Sequence, residues 1–205
     1  AYAGSILGSA RLVKDGERKL TIDGRITASA LDVHQGELVL QNRAESSIIS
    51  GTLNVERDAA LTLNSASLAA ADLTGSGSIT LAGGALLTIS RETLSDLTLN
   101  ASITGAGTLK LGNCNLVLTT GSNLGENVLL HLDGGGLRLQ DGSTIALEGL
   151  HQEQENGTLH LGADGHLELA SSNGKTYSFK GEITGTGVIT HRGEGTQIIL
   201  SSGNG

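Results

Sequence analysis

Apolar and polar residues alternate over short stretches of the chain. In 158–169, leucine occupies alternate positions in two short runs, at Leu159, Leu161, Leu167 and Leu169. The positions between them hold polar side chains, at His160, His166 and Glu168. A period of two is typical of an extended strand with one buried and one exposed face. The pattern therefore predicts short β-strands that bury their leucines on one side.

Glycine and Asn or Asp punctuate these strands at intervals that repeat. Three segments begin with Gly-x-Gly and continue as an alternating strand, namely 75–83, 105–113 and 185–193. Looser copies of the unit pair 51–55 with 61–63, 157–161 with 165–169 and 136–139 with 145–147. Glycine supplies the positive φ that sharp corners need. Helical propensity is confined to 68–73, a stretch too short to form a stable helix.

Two all-β arrangements are compatible with this pattern. A sandwich of hairpins would place its turns at the Asp-Gly pairs at 15–16, 23–24, 133–134 and 141–142. A parallel solenoid would stack similar aliphatic residues in columns and would need few aromatic rings. The strand pieces are short and aromatic residues make up 1% of the chain, so we favour the solenoid. At roughly 20 residues a coil, residues 1–205 would form one elongated domain of about nine or ten coils, on the order of 45 Å long.

Composition narrows the classes of function. Glycine occurs 31 times and methionine, tryptophan and proline are absent, so the core must be built from Leu, Ile, Val and Ala. The formal net charge is −8 and no basic run is present, which argues against a nucleic acid or an anionic membrane as partner. No apolar stretch approaches the length of a membrane span.

The C-terminal stretch carries a family resemblance. Two consecutive Gly-x-Gly units, each followed by an alternating strand, resemble the passenger-associated repeat of bacterial autotransporters, the type V secreted proteins. The matching residues are Gly185, Gly187, Ile189, Gly193, Gly195, Thr196, Ile198, Leu200 and Ser201. Segments 75–90 and 105–120 are weaker copies. The chain departs from the family pattern at His191, where Lys or Thr is common.

The resemblance implies a right-handed parallel β-helix at the bacterial cell surface, with an outer-membrane barrel at the C-terminus of the full precursor. The leading hypothesis is a structural or adhesive role, because the repeat carries no group of residues suited to catalysis, and the expected partners are host surface or matrix molecules, glycans or a second copy of the chain. The chain opens at Ala1 and contains no methionine, so we expect a processed or excised piece of a longer passenger.

Residues for chemistry are sparse, and the sequence assigns no catalytic, cofactor-binding or metal-binding residue. The alternative hypothesis is a polysaccharide-acting β-helix enzyme, a lyase or glycosidase, which requires outward carboxylates from adjacent coils to converge. Asp133, Asp141 and Glu148 are the residues for which this arrangement is predicted.

The densest acidic group is Glu148, Glu153 and Glu155, in the longest polar interruption of the strand pattern. This interruption, 148–157, is predicted to loop out from the rod. The aromatic residues Tyr177 and Phe179 alternate in a strand and are predicted to face the core.

Two further side chains are placed by alignment of the repeats. Cys114 aligns with the Gly83–Gly84 pair and is predicted to lie in a turn, as an unreactive thiol without an activating neighbour. His191 aligns with Leu81 and Leu111, which points it inward. We expect the stack to loosen at that coil and let the ring reach water.

Overall fold

The computed structural model describes residues 1–41, 46–152, 154, 156–171 and 175–193, together with the backbone of 197–200. These residues form strands and no helix. All strand pairs among them run parallel, with partners 18 to 24 residues apart, as the pairing of Ser78 with Ala60 and with Ser102 illustrates. The predicted parallel β-solenoid is confirmed, and the hairpin sandwich is wrong.

The strands are short except for five that bend in the middle. In chain order, the strands of the described residues are β1 (Ile6–Leu7), β2 (Arg11–Lys14), β3 (Leu20–Ile22), β4 (Ile26–Ala28), β5 (Ala30–Val33), β6 (Gly36–Leu40), β7 (Ser47–Val55), β8 (Ala59–Asn64), β9 (Ser67–Thr74), β10 (Ser78–Ala82), β11 (Leu86–Thr98), β12 (Ser102–Thr104), β13 (Thr108–Leu118), β14 (Asn123–Leu124), β15 (Leu129–Leu139), β16 (Thr144–Leu147), β17 (Gly149–His151), β18 (Thr158–Leu161), β19 (His166–Leu169), β20 (Thr176–Phe179), β21 (Glu182–Gly185), β22 (Val188–His191) and β23 (Gln197–Leu200). The five that bend are β7, β9, β11, β13 and β15.

Each turn of the solenoid passes through three walls. The first wall stacks β1, β4, the first halves of β7, β9, β11, β13 and β15, and then β17, β20 and β23. The second wall stacks β2, β5, the second halves of the same five strands, β18 and β21. The third wall stacks β3, β6, β8, β10, β12 and β14, followed by β16, β19 and β22. The chain makes about eight turns, close to the nine or ten coils expected from a uniform 20-residue repeat.

Columns of aliphatic side chains fill the interior. In the first wall, one column consists of leucines that are each at most 1% exposed, namely Leu68, Leu87, Leu109, Leu130 and Leu150. Each buried leucine contributes roughly 2 kcal/mol of hydrophobic free energy. The predicted inward leucines at 159, 161, 167 and 169 are all buried, which confirms the period-two assignment.

The Gly-x-Gly segments are corners, but not all at the same corner. Gly75 and Gly185 lie where the second wall turns into the third, whereas Gly105 lies where the third wall turns into the first. Gly75 has a φ of 89°, and a Cβ there would lie 2.0 Å from the carbonyl oxygen of Val55 in the coil below. The motif therefore marks a close approach of successive coils and not a fixed position in the turn.

This difference corrects the predicted turn at Cys114. The alignment equates a third-wall strand, β10, with the first half of β13, so it places Cys114 wrongly in a turn. Cys114 lies inside β13, directly after the bend at Asn113, whose φ is 50°. It is fully buried and belongs to the hydrophobic core.

The predicted loop at 148–157 is largely wrong. Residues 149–151 form strand β17, and Gln152 pairs with Phe179 in the same wall and is fully buried. Within the described part of this segment, only residues 154 and 156 are exposed outside the strands. Leu150 explains the difference, because its side chain continues the buried leucine column and holds this stretch in the wall.

The remaining local predictions agree with the structure. Residues 68–73 lie within strand β9, so the weak helical propensity there has no effect. His191 pairs with the buried Leu169 but is itself exposed, as expected for a coil where the stack loosens. Phe179 is part of the core and Tyr177 is buried. Gly195, Thr196 and Ser201 of the C-terminal motif lie outside the described residues.

Candidate binding groove

The three carboxylates that the alternative enzyme hypothesis requires to converge lie at three different corners of the solenoid. Asp133 lies at the bend of β15 between the first and second walls, and Asp141 lies between β15 and β16, where the second wall turns into the third. Glu148 lies between β16 and β17, where the third wall turns into the first. The structure therefore does not bring them together.

Their partners differ accordingly. Asp133 accepts a hydrogen bond from Gln154 and lies 2.9 Å from the Lys110 ammonium. Asp141 accepts a hydrogen bond from the backbone N–H of Ala163. Of the acidic group at 148–155, Glu153 and Glu155 lie outside the described residues. Glu148 is the member that faces a concave surface.

That concave surface, which we call the corner groove, follows the edge where the third wall turns into the first. It is lined by Gly84, Ala106, Gly107, Thr108, Asn127, Leu129, Glu148, Lys175 and Tyr177. These residues come from five successive passages of the chain around the same corner, where it enters β11, β13, β15, β17 and β20. The groove therefore runs along the solenoid axis.

Small residues create the groove. A Cβ at Gly84 would have no neighbour within 4 Å, so this position opens the surface to solvent. A Cβ at Gly107 would instead lie 2.6 Å from the Cβ of Leu81 and 2.7 Å from the carbonyl oxygen of Ala85. Glycine at 107 therefore allows this coil to pack closely on the coil below. The small side chain of the exposed Ala106 leaves the groove open.

The buried Tyr177 lies at one end of the groove. Tyr177 is 4% exposed and its ring packs on the Cα of Gly149, where an added Cβ would lie 2.4 Å from the ring. Its hydroxyl donates a hydrogen bond to Oε1 of Glu148 at 3.2 Å. The hydroxyl thereby orients the Glu148 carboxylate at the groove rim.

The groove combines an apolar floor with a polar rim. We call the apolar part of its lining the floor, which consists of Gly84, Ala106, Gly107 and Leu129, and the polar part the rim. The rim presents the amide of Asn127, the hydroxyl of Thr108, the carboxylate of Glu148 and the ammonium of Lys175, so its formal charges balance. Such a surface suits a ligand with an apolar face and hydroxyl or amide groups around it.

A second polar surface runs along the second wall. Arg11 forms a bidentate pair with Asp32, with N–O distances of 2.6 and 2.9 Å. Asn54 donates to the same Asp32 carboxylate, and Thr74 donates to Asn54 one coil further on. The Arg11 hydrogen bond is the largest influence on the pKa of Asp32, and it lowers that pKa below its ordinary value although burial opposes the shift. This ladder joins successive coils.

Histidines lie on the outside of several walls. His131 and His151 are neighbours in the first wall, with their rings edge to face and their centroids 4.9 Å apart. His160 bonds to Thr184 in the second wall, and His166 bonds to Thr190 in the third. Among the described residues, no group of three or more His, Cys, Asp or Glu side chains is arranged to hold a metal ion.

The single thiol lies away from these surfaces. Cys114 is buried in the core, and its Sγ lies 3.3 Å from the carbonyl oxygen of Gly112. Burial raises the pKa of the Cys114 thiol above its ordinary value. The thiol is therefore kept protonated and away from solvent.

Sequence reasoning identified Glu148 and Tyr177 but missed the groove that joins them. A signal was present, since positions 84, 106, 127 and 148 recur every 21 or 22 residues. These positions hold glycine, alanine, asparagine and glutamate, so they do not align as a repeat of one residue type.

Comparison of the chain with protein-family models, with curated proteins and with solved structures finds no significant match. No helix in the described part of the chain is long and apolar enough to cross a membrane.

Proposed function

We propose that this chain is a structural segment of a surface-displayed bacterial passenger of the autotransporter type, a stalk that holds other groups away from the cell. The observation that supports the proposal best is the parallel stacking of strands in all three walls over one hydrophobic core cluster, which extends from Ile22 to Phe179. In such a solenoid each coil contacts only its neighbours, so the rod gains length without a change in cross-section.

The same stacking supports export in an unfolded state. Each coil offers a paired edge on which the next coil can form, so folding can propagate along the chain as it emerges. The resemblance of 185–201 to the passenger-associated repeat supports the same assignment. With about eight turns at ~4.8 Å each, the rod would extend a group by roughly 38 Å.

The test is to display the chain between an N-terminal epitope tag and an outer-membrane anchor on a Gram-negative bacterium. Antibody binding to whole cells measures exposure of the tag, and added protease measures folding of the displayed chain. We expect the tag to be accessible and the chain to resist protease. An inaccessible tag would contradict the stalk.

A matched pair of variants in β11 tests whether stacking drives display. Leu87→Asp places a charge in the buried leucine column, whereas Thr88→Asp changes the next residue, which is only half-buried and points outward. We expect Leu87→Asp to lose protease resistance and most of its display, and Thr88→Asp to behave like the unchanged chain. Equal behaviour of the two variants would overturn the proposed mechanism.

A further inference from the structure

We propose that the corner groove is a binding site for an uncharged saccharide chain that lies along the solenoid axis. The inference deepens the proposed surface role, because it assigns a ligand class to a surface-displayed rod. It rests on the groove's dimensions, the chemistry of its floor and rim, and the pairing of its backbone.

The groove is long enough for an oligosaccharide. Its lining comes from five passages of the chain around one corner, between Gly84 and Tyr177. Four steps between stacked strands correspond to roughly 19 Å. Several linked sugar rings can lie in such a length.

The floor and rim match the two kinds of surface on a sugar ring. The C–H face of a pyranose is apolar and would rest on the floor formed by Ala106, Gly107 and Leu129. Its hydroxyl groups both donate and accept hydrogen bonds. The Glu148 carboxylate is an acceptor, the Lys175 ammonium is a donor, and Asn127 offers both functions.

The backbone around the groove disfavours a peptide ligand. A bound strand needs unpaired N–H and C=O groups at a sheet edge. Here the N–H groups of Thr108, Leu129 and Glu148 donate to the coil below, at 2.9, 2.9 and 3.0 Å, and Gly84 donates to Ala106 of the coil above at 3.3 Å. These four N–H groups are therefore not available to pair with a bound peptide strand.

Charge disfavours a polyanion. The groove rim carries one cation and one carboxylate, and the whole chain carries a formal charge of −8. Sulfated or phosphorylated chains would be repelled at low salt. The balance favours a neutral saccharide.

Glu148 is also the one carboxylate that lines the groove among the described residues. Hydrolysis of a glycosidic bond by the common mechanisms uses two carboxyl groups on either side of the bond. The groove is therefore proposed to bind the saccharide and not to cleave it.

The test uses the purified chain labelled with ¹⁵N and a panel of neutral tetrasaccharides built from glucose, galactose, mannose or N-acetylglucosamine. We expect at least one member to shift the amide signals of Thr108, Asn127 and Leu129 in a saturable way. A panel that shifts none of these signals, or shifts only signals of the second wall, overturns the proposal.

A matched pair of variants separates the groove from general effects. Ala106→Trp fills the groove from the exposed middle position of one Gly-x-Gly corner, and Ser76→Trp changes the equivalent exposed position at another corner. We expect Ala106→Trp to weaken binding at least tenfold and Ser76→Trp to leave it unchanged. Equal effects of the two variants overturn the assignment.

The same variants distinguish the proposal of saccharide binding from the proposal of a stalk function. Position 106 is exposed, so Ala106→Trp should leave display and protease resistance of the surface-anchored chain unchanged. Loss of saccharide binding with intact display supports the groove. Normal display without saccharide binding by the unchanged chain overturns the groove and leaves the stalk standing.

Discussion

At the scale of single residues, corner glycines decide how closely successive coils approach. Gly75 combines a positive φ with a backbone oxygen 2.0 Å from the place of its missing Cβ. Gly142 also has a positive φ, 67°, but a Cβ there would meet nothing within 4 Å. The two positions therefore separate the steric demand of stacking from the conformational demand of the turn.

We expect Gly142→Ala to lower the free energy of unfolding by about 1–2 kcal/mol, the usual penalty of the left-handed conformation for a residue with a Cβ. Gly75→Ala should lower it by more than ~3 kcal/mol, because the coil below must also move. Urea unfolding followed by circular dichroism measures both. Similar losses for the two variants would show that close approach of the coils is unimportant.

Gln152 is an amide inside an otherwise apolar column. In the first wall it stacks above Ile89, Leu111 and Leu132 and below Phe179. It is fully buried, and within the described part of the chain neither its Nε2 nor its Oε1 has a hydrogen-bond partner. An unsatisfied buried amide costs about 1–3 kcal/mol.

Gln152→Leu should therefore raise the free energy of unfolding, by about 1–3 kcal/mol. Leucine has a similar size and removes both unpaired polar atoms. The matched control is Leu132→Gln, which adds an amide to the same column one coil below and should destabilise the chain. Denaturant unfolding measures both, and destabilisation by Gln152→Leu would show that the amide has a role in the fold.

At the scale of strands, polar side chains on the outer surface connect neighbouring coils through hydrogen bonds, as the packed leucines connect them in the interior. The Arg11–Asp32 pair joins β2 to β5, and Asn54 of β7 extends it. The pKa of Asp32 is held below its ordinary value of 3.8, so the folded state favours the carboxylate. Its stabilisation is present above that ordinary value and is lost as the pH falls through the lower pKa of the folded state.

We therefore expect Asp32→Asn to lower the melting temperature at pH 7 and to have a much smaller effect near pH 2. Thermal unfolding at both pH values is the measurement, with Asp15→Asn, an exposed corner residue, as the control. A loss of the same size at both pH values would mean that the charge of Asp32 does not contribute.

Cys114 reports on opening of strand β13. Because it is fully buried and its pKa is raised by burial, the native thiol should react with an aromatic disulfide reagent only when the wall opens. We expect labelling at pH 8 to be slower by at least a factor of about 100 in native buffer than in denaturant. Immediate labelling of the native chain would contradict the buried position.

At the scale of the whole molecule, order should fall from the middle of the solenoid toward its ends. The inward residues Leu87 and Leu109 in central coils are at most 1% exposed, whereas inward residues near the two ends, such as Ile6 and Ile189, are only partly buried. In a stack where each coil is stabilised by its neighbours, the outer coils have fewer partners and open more often.

Hydrogen exchange should reveal this gradient. We expect the amides of β9, β11 and β13 to be the most protected, and those of β1, β2, β21 and β22 to exchange at least tenfold faster. Mass spectrometry of peptic fragments after exchange is the measurement. Uniform protection along the chain would indicate one cooperative unit and contradict coil-by-coil stability.

The sequence by itself determined the all-β class, the parallel stacking and the inward leucines. These follow from local features, since alternation selects strands, glycine selects corners and an aliphatic core without large rings favours columns. Leu159 and Leu161 could be placed inward because period two depends only on neighbours in the chain.

Only the tertiary structure decided which corners coincide. The segments at 75 and 105 look alike in sequence yet lie at different corners, because partner strands are 18 to 24 residues apart and a fixed repeat cannot follow that variation. For the same reason the alignment of the repeats puts Cys114 in a turn, and the enzyme hypothesis requires Asp133, Asp141 and Glu148 to converge although they lie at different corners. The corner groove joins residues from five turns, from Gly84 to Tyr177, and their common location depends on the register of every strand between them.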